Sequence, residues 1–221
     1  MNLHVIGDSH LLPLNNLKLN KQFKILMCVV QGATASGLKN PRSQTLSGPI
    51  FENYLQNISK NDWVIIHLGE VDCGFVMWVR SERENISIEE QSNITLENYK
   101  HLLIKIKNKT DKIILINILP QSIKDGTKIG DIANLRGSIK ANQKQRMNLT
   151  NKMNTDLLKI CSDLNINYFN LNKYFIDNET GLLKDFFYNS NPEDHHLEPY
   201  KFLEIIQSEL NDFFEKNNNN L

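Results

Sequence analysis

The chain has 221 residues, is 40% hydrophobic, and carries 25 basic and 25 acidic side chains. This hydrophobic fraction predicts a folded domain with a sizeable core and excludes a disordered chain. The zero net charge argues against nucleic acid as a partner, because domains that bind it usually carry a basic excess. The three cysteines are widely spaced and form no Cys-x-x-Cys pair, which argues against a disulfide framework or a zinc knuckle.

The ends of the chain and its hydropathy pattern set expectations about location and domain extent. The first six residues lack the basic segment and the long apolar segment of a secretory signal. No apolar run approaches the roughly 18 residues that a membrane span needs. We therefore expect a cytoplasmic protein without a membrane span. We also expect one domain over residues 1–216, followed by a disordered polar tail over residues 217–221.

Short apolar runs alternate with longer amphipathic stretches along the chain. Continuous apolarity is typical of strands that are buried on both faces of a parallel sheet. The five runs that predict strands are Leu3–Ile6, Phe23–Val30, Trp63–Leu68, Ile113–Leu119 and Ile166–Leu171. The four stretches whose 3.6-residue period predicts helices are Pro49–Ile58, Thr95–Lys107, Gln145–Leu164 and Pro199–Phe214.

This alternation predicts an α/β fold, a three-layer α/β/α sandwich around a five-stranded parallel sheet in the flavodoxin-like order 2-1-3-4-5. In such sheets, ligands bind beyond the carboxyl ends of the strands. Two long polar stretches, Arg80–Gln91 and Gln121–Lys144, exceed ordinary loop length. We expect them to form lids or the rim of a substrate site.

A serine lies directly beyond the first predicted strand, in the motif Gly7-Asp8-Ser9. At this position a hydroxyl can point into the crevice at the sheet edge, and Gly7 permits a tight turn. Taken alone, the motif is more typical of a simple turn or of a helix cap, because Asp and Ser both cap helices.

A second polar cluster, which contains His196, comes just before the last predicted helix. A serine nucleophile needs a base within hydrogen-bond reach and an acid that orients the base. Glu193 and Asp194 both precede His196 closely, and either is placed to orient its imidazole. By itself such a cluster is as typical of a solvated surface loop as of a catalytic site.

The two motifs together resemble the SGNH, or GDSL-like, hydrolase family, whose sequence blocks follow in the same order over residues 3 to about 213. The resemblance implies a serine nucleophile at Ser9, a base at His196 and an oxyanion-binding glycine at Gly32, after the second strand. The family's Gly-x-Asn-Asp block corresponds to Gly69-Glu70-Val71-Asp72, and its Asp-x-x-His block to Glu193-Asp194-His195-His196. We expect the nucleophile and base to lie within about 4 Å of each other.

Two departures from the family pattern leave parts of the site open. Val71 occupies the place of an asparagine that donates to the oxyanion, and losing one such donor typically costs about a hundred- to a thousandfold in rate. Glu193 stands where aspartate is usual, so the orienting acid is either Glu193 or Asp194. Asp72 is predicted to bond loop amides around the site more readily than to contact substrate.

Substrate-contacting residues are expected on the same sheet edge. With Gly32 we group Asp8, Gly69, Glu70, Asp72 and Arg80 as the oxyanion and substrate part of the site. Arg80 and Arg83 follow Trp78, a combination that can stack a sugar ring and hold an acidic substituent. A solvated helix end is the more typical meaning of this charged segment.

These residues together predict a serine esterase or O-acyltransferase that acts on small acyl esters, chiefly acetyl esters, of a glycan. The string Gly-Glu-Val-Asp-Cys also resembles proteins of bacterial surface-polysaccharide loci. Neither a metal nor an organic cofactor is expected, and the partner is a small-molecule or glycan ester. The alternative is a catalytically weak or inactive carbohydrate-binding module on the same fold, which Val71 favours. The sequence makes no prediction of oligomeric state.

Overall fold

A computed structural model describes residues 1–128, 130–137 and 139–217. All five strands form one parallel sheet in the order β2-β1-β3-β4-β5. The strands are β1 (Asn2–Gly7), β2 (Lys24–Val29), β3 (Trp63–His67), β4 (Ile113–Ile116) and β5 (Asn167–Phe169). The α/β fold class and the strand order predicted from the sequence are confirmed.

Helices cover both faces of this sheet. They are α1 (Ser47–Tyr54), α2 (Met77–Glu84), α3 (Ile88–Lys107), α4 (Asp131–Arg136), α5 (Gln143–Asp163), α6 (Asn172–Phe175) and α7 (Pro199–Asn217). Shorter helical turns span Ser9–Asn16, Leu55–Asn57, Asp72–Val76 and Asp185–Phe187. Helix α7 ends at Asn217, and residues 218–221 of the predicted tail lie outside the described residues.

Alternate residues of each strand point to opposite faces, so the sheet divides the core into two layers. One layer packs Ile6 and Leu115 against α1, α2, α3 and α5. The other packs Val5 and Ile114 against α7 and the turn that follows β1. The central strands β1, β3 and β4 therefore contribute apolar side chains to both layers, which explains the apolar runs at these positions of the sequence.

The stretch Arg80–Gln91 is not one long loop, because it comprises the end of α2, a short turn and the start of α3, and its role as a lid or rim stays a prediction. Asn85 ends α2 in a left-handed conformation (φ 53°), and Ser87 caps α3 by accepting a hydrogen bond from the backbone N–H of Glu90. These two caps let α3 begin seven residues before the predicted Thr95. Within the described residues, no helix is long and apolar enough to cross a membrane.

Candidate active site

The end of β1 presents Ser9 at the carboxyl edge of the sheet. Gly7 lies so close to β3 that an added Cβ would be 2.1 Å from the backbone oxygen of His67, so only glycine fits there. The carboxylate of Asp8 accepts a hydrogen bond from the backbone N–H of His10 at 3.0 Å and caps the helical turn that begins at Ser9. Asp8 therefore caps a helical turn, and Ser9, although largely buried, lines a cavity at the sheet edge.

His196, in the loop before α7, contacts Ser9 across the sheet edge. Its Nε2 lies 2.8 Å from Ser9 Oγ, and its Nδ1 lies 2.5 Å from Asp194 Oδ1. The same carboxylate oxygen accepts the backbone N–H of His196 at 2.9 Å. Because an ionised carboxylate only accepts, Nδ1 is the protonated nitrogen and Nε2 is free to accept from the serine hydroxyl. This is the arrangement of a nucleophile, a base and an orienting acid.

The structure distinguishes the two acids that the sequence left open. Glu193 is exposed, and its backbone N–H donates to Asn191 Oδ1 at 3.1 Å. Asp194, one residue later, meets both the backbone and the ring of His196. The tight two-residue turn places Asp194, and not Glu193, against the imidazole.

A buried chain of charges lies behind this triad. His10 Nδ1 donates to Asp8 Oδ1 at 3.0 Å, and His10 Nε2 lies 3.7 Å from Glu70 Oε2. Glu70 in turn accepts two hydrogen bonds from Arg136, at 2.7 and 3.0 Å. Burial opposes ionisation of Glu70, but the charges of Arg136 and His10 outweigh it and hold its pKa below the ordinary value. Glu70 is thus held by the guanidinium of Arg136.

Charges on several elements act on the pKa of His196. Burial lowers that pKa first, and the charge of His10, whose ring centroid is 4.7 Å away, lowers it further. Asp194 and Glu70 raise the pKa of His196 and offset only part of this effect.

For His10 itself, burial also lowers the pKa, but Asp8 and Glu70 outweigh burial and raise it. His196 is therefore stabilised as a neutral base beside an imidazolium. Burial lowers the pKa of the neighbouring His195 to about 4, so its ring is neutral as well.

Asp72 connects the segment after β3 to the loop after β2. Its carboxylate accepts the backbone N–H groups of Ala35 at 2.7 Å and Ser36 at 3.0 Å, while burial raises its pKa. These contacts match the expectation that Asp72 bonds loop amides. Gly69 has φ 113°, and a Cβ there would lie 2.8 Å from Ile118, so this position favours glycine.

Cavities open beside Ser9 and beside Gly32. Ser9 and His196 line one of about 230 Å³, together with Asn189. Gly32 and Arg80 line another of about 360 Å³. Arg80 also donates to the backbone oxygen of Ser36 at 3.2 Å. The oxyanion role of Gly32 stays a prediction.

Arg136 and Asn189 were missed in the sequence. Arg136 is 66 residues from Glu70 and lies within a polar stretch that has no motif, so nothing in the sequence pairs them. Asn189 lies in the same polar segment as the histidine loop, and this proximity in sequence is the one feature that could have indicated a place near the site.

One group of histidines also has the spacing of metal ligands. The ligand atoms of His10, His195 and His196 lie within 4.8 Å of one another. A metal needs the lone pair of a neutral imidazole. His10 is stabilised as an imidazolium, and both ring nitrogens of His196 already contact Ser9 and Asp194. These contacts favour the acid–base arrangement over a metal centre.

Comparisons with known proteins agree with this architecture. No family model matches the chain, and no curated protein matches it. Among solved structures, a GDSL-like lipase from Bacteroides thetaiotaomicron superposes with a TM-score of 0.56 and 15% identity, covering 97% of this chain and 88% of the lipase. An extracellular lipase from Streptomyces rimosus has a TM-score of 0.55 and 11% identity, covering 94% and 99% of the two chains. An acetyl xylan esterase has a TM-score of 0.54 and 14% identity, covering 95% and 98%. The chain therefore has the fold of the SGNH, or GDSL-like, hydrolases.

Proposed function

We propose that this protein is a serine ester hydrolase or O-acyltransferase with Ser9 as nucleophile, His196 as general base and Asp194 as orienting acid. The observation that carries the proposal is the continuous contact from Ser9 Oγ through the His196 ring to the Asp194 carboxylate. The shared fold with lipases and an acetyl xylan esterase supports it.

The contacts assign a role to each group in the reaction. His196 Nε2 takes the hydroxyl proton as Ser9 Oγ attacks the acyl carbonyl carbon, and the imidazolium is stabilised by Asp194. The backbone N–H groups of Ser9 and Gly32 hold the resulting oxyanion. The intermediate collapses to an acyl-serine, and His196 returns the proton to the departing alkoxide. Water, or a sugar hydroxyl in a transferase, then attacks the acyl-serine carbonyl while His196 takes its proton. The acyl–Oγ bond breaks as His196 returns that proton to Ser9 Oγ, which releases the acid or the new ester.

The proposed acyl group is small, chiefly acetyl, and the proposed alcohol is a glycan hydroxyl. The cavity at Ser9 has a volume of only about 230 Å³, which suits a short acyl group better than a fatty chain. Similarity to an acetyl xylan esterase supports the same choice.

A second candidate function is a carbohydrate-binding module with little or no catalysis. The observation that favours it is Val71, where the family pattern has an asparagine that donates to the oxyanion. Asn189 bears on this choice because it is among the residues that line the cavity at Ser9, and an amide N–H is a suitable oxyanion donor.

Labelling with a fluorophosphonate tests the two candidates directly. The enzyme is labelled at Ser9 and hydrolyses p-nitrophenyl acetate, whereas Ser9→Ala loses both properties and keeps its thermal midpoint. Ser162→Ala is the matched control, because Ser162 is an exposed serine on α5, away from the histidine loop. If folded wild-type protein resists the probe and neither hydrolyses esters nor transfers acetyl groups to sugars, the catalytic proposal is refuted and the binding module is favoured.

A further inference from the structure

The larger of the two cavities described above, at about 360 Å³, lies between the loop after β2 and helix α2. Three arginines line it: Arg42 from the loop, and Arg80 and Arg83 from the helix. No acidic residue is among the described residues that line it. The cavity therefore has a concentrated positive charge although the whole chain is neutral.

The residue type is as informative as the charge. The chain has five arginines and twenty lysines, yet three arginines and no lysine are among the described residues that line this cavity. A solvated basic surface of this chain would be expected to be rich in lysine. Arginine differs from lysine because its planar guanidinium donates two parallel hydrogen bonds to a carboxylate or phosphate. The presence of arginine rather than lysine in this cavity points to a carboxylate or a phosphate as the ligand.

The guanidinium groups have donors available. Arg42 forms no ion pair within the described part of the chain. Arg80 uses Nη1 to bond the backbone oxygen of Ser36, and this contact fixes its side chain against the loop. Arg83 pairs with Glu84 at 2.6 Å, but both side chains are largely exposed, and such pairs are weak. An anionic ligand can therefore displace the Arg83–Glu84 pair at little cost.

The other lining groups suit a sugar. Phe75 offers an aromatic face, and Asn40 and Gln44 offer amide groups that donate to and accept from hydroxyls. Aromatic faces with a few polar groups are typical of small-molecule sites.

The cavity lies on the same sheet edge as the nucleophile. Gly32, which lines it, follows β2, and Ser9 follows β1, the strand paired with β2. Neighbouring strands are about 4.8 Å apart. Asp72 holds the loop after β2 against the segment that leads into α2, through its bonds to Ala35 and Ser36. The cavity is thus built on elements that are fixed relative to the site.

We propose that this three-arginine cavity binds an anionic group, a carboxylate or a phosphate, on the sugar whose ester lies at Ser9. The inference rests on the proposed function for its ester, but the binding of the anion does not depend on catalysis. It makes the substrate an acidic glycan unit rather than a neutral one.

Calorimetric titration tests the binding separately from the chemistry. The probes are galacturonate, glucose 1-phosphate and, as the neutral control, glucose. The test variant is Arg42→Gln/Arg83→Gln, which spares Arg80 and its contact with the loop. The matched control is Lys60→Gln/Lys112→Gln, which removes the same charge just before β3 and β4, at the opposite edge of the sheet.

Wild type and the lysine control should bind one or both anionic probes and not glucose. The arginine variant should bind at least tenfold more weakly, since a hydrogen bond to a charged group typically contributes that much. The probe that binds more tightly identifies the carboxylate or the phosphate as the source. Equal binding of glucose, unchanged binding in the arginine variant, equal loss in the lysine control, or binding of neither anion would each overturn the proposal.

Kinetics then connects the cavity to the ester. The ratio of kcat/KM for O-acetyl galacturonate to kcat/KM for p-nitrophenyl acetate should fall tenfold or more in the arginine variant and stay unchanged in the lysine control. If wild type hydrolyses neither ester but binds galacturonate through the arginines, the proposed function fails and the anion site stands. If both esters are hydrolysed and the ratio does not change, the anion site fails and the proposed function stands.

Discussion

Replacing Asp194 by alanine separates a catalytic contact from a local structural one. The change removes the oxygen that accepts both the ring Nδ1–H and the backbone N–H of His196, at 2.5 and 2.9 Å. Without it the imidazole loses its fixed tautomer and orientation, and the imidazolium formed during attack loses its counter-charge. In serine proteases, disrupting the corresponding contact lowers kcat by about ten-thousandfold, or about 5.5 kcal/mol of transition-state stabilisation. We expect a loss of this order for Asp194→Ala.

Glu193→Ala is the matched control, because it removes a carboxylate from the adjacent residue of the same exposed loop. We expect its kcat for p-nitrophenyl acetate to stay within about threefold of wild type, since exposed substitutions seldom disturb a structure. The Asp194 side chain is 39% exposed, so its loss should lower the free energy of unfolding by less than about 1 kcal/mol. Equal losses in the two variants, or more than a tenth of the wild-type kcat in Asp194→Ala, would refute the assignment of the acid.

Two further predictions concern the buried charges. Wild-type kcat/KM should fall as the pH drops through the pKa of His196, which must be neutral to act as base. Because the charge of His10 lowers the pKa of His196, His10→Gln should move the acidic limb of the pH profile to higher pH. A shift of this limb to lower pH would contradict the reasoning. Arg136→Met leaves Glu70 buried without its partner and should lower the free energy of unfolding in urea by about 3–5 kcal/mol, with much of the loss recovered when Glu70→Gln is added. A cost below about 1 kcal/mol for Arg136→Met would show that water reaches the carboxylate.

The sheet was predictable because its strands are buried on both faces. Trp63–Ile66 is an uninterrupted apolar run, and such a run fits few structures other than the centre of a parallel sheet. The pairing of Ser9 with His196 was expected from the resemblance to the SGNH hydrolases, and it agrees with the rule that ligands bind at the carboxyl edge of a parallel sheet. These parts of the site are encoded in short stretches of neighbouring residues, so they can be recognised in one sequence.

The parts that were not predictable depend on contacts between distant segments. Arg136 pairs with Glu70 only because the polar stretch after β4 folds back over the site, and no local pattern records that path. Whether Glu193 or Asp194 contacts His196 depends on the geometry of the turn between them. Two adjacent acids in the sequence give no basis for choosing one. The division of Arg80–Gln91 between two helices was not predicted either, although asparagine and serine, as at Asn85 and Ser87, are typical of helix ends.

The position of His10 explains how one imidazole can act as base while a second remains charged. The four groups from Asp8 through His10 and Glu70 to Arg136 alternate in sign and sum to zero, so burying them adds no net charge to the core. The carboxylates of Asp8 and Glu70 raise the pKa of His10 and favour its charged form, and that charge opposes a second charge on His196 when the site is at rest. Asp194 acts in the other direction and stabilises that charge when the serine proton arrives. The pKa of His196 therefore depends on His10, which lowers it, and on Asp194, which raises it. Removing His10 should raise the pKa of His196, and removing Asp194 should lower it.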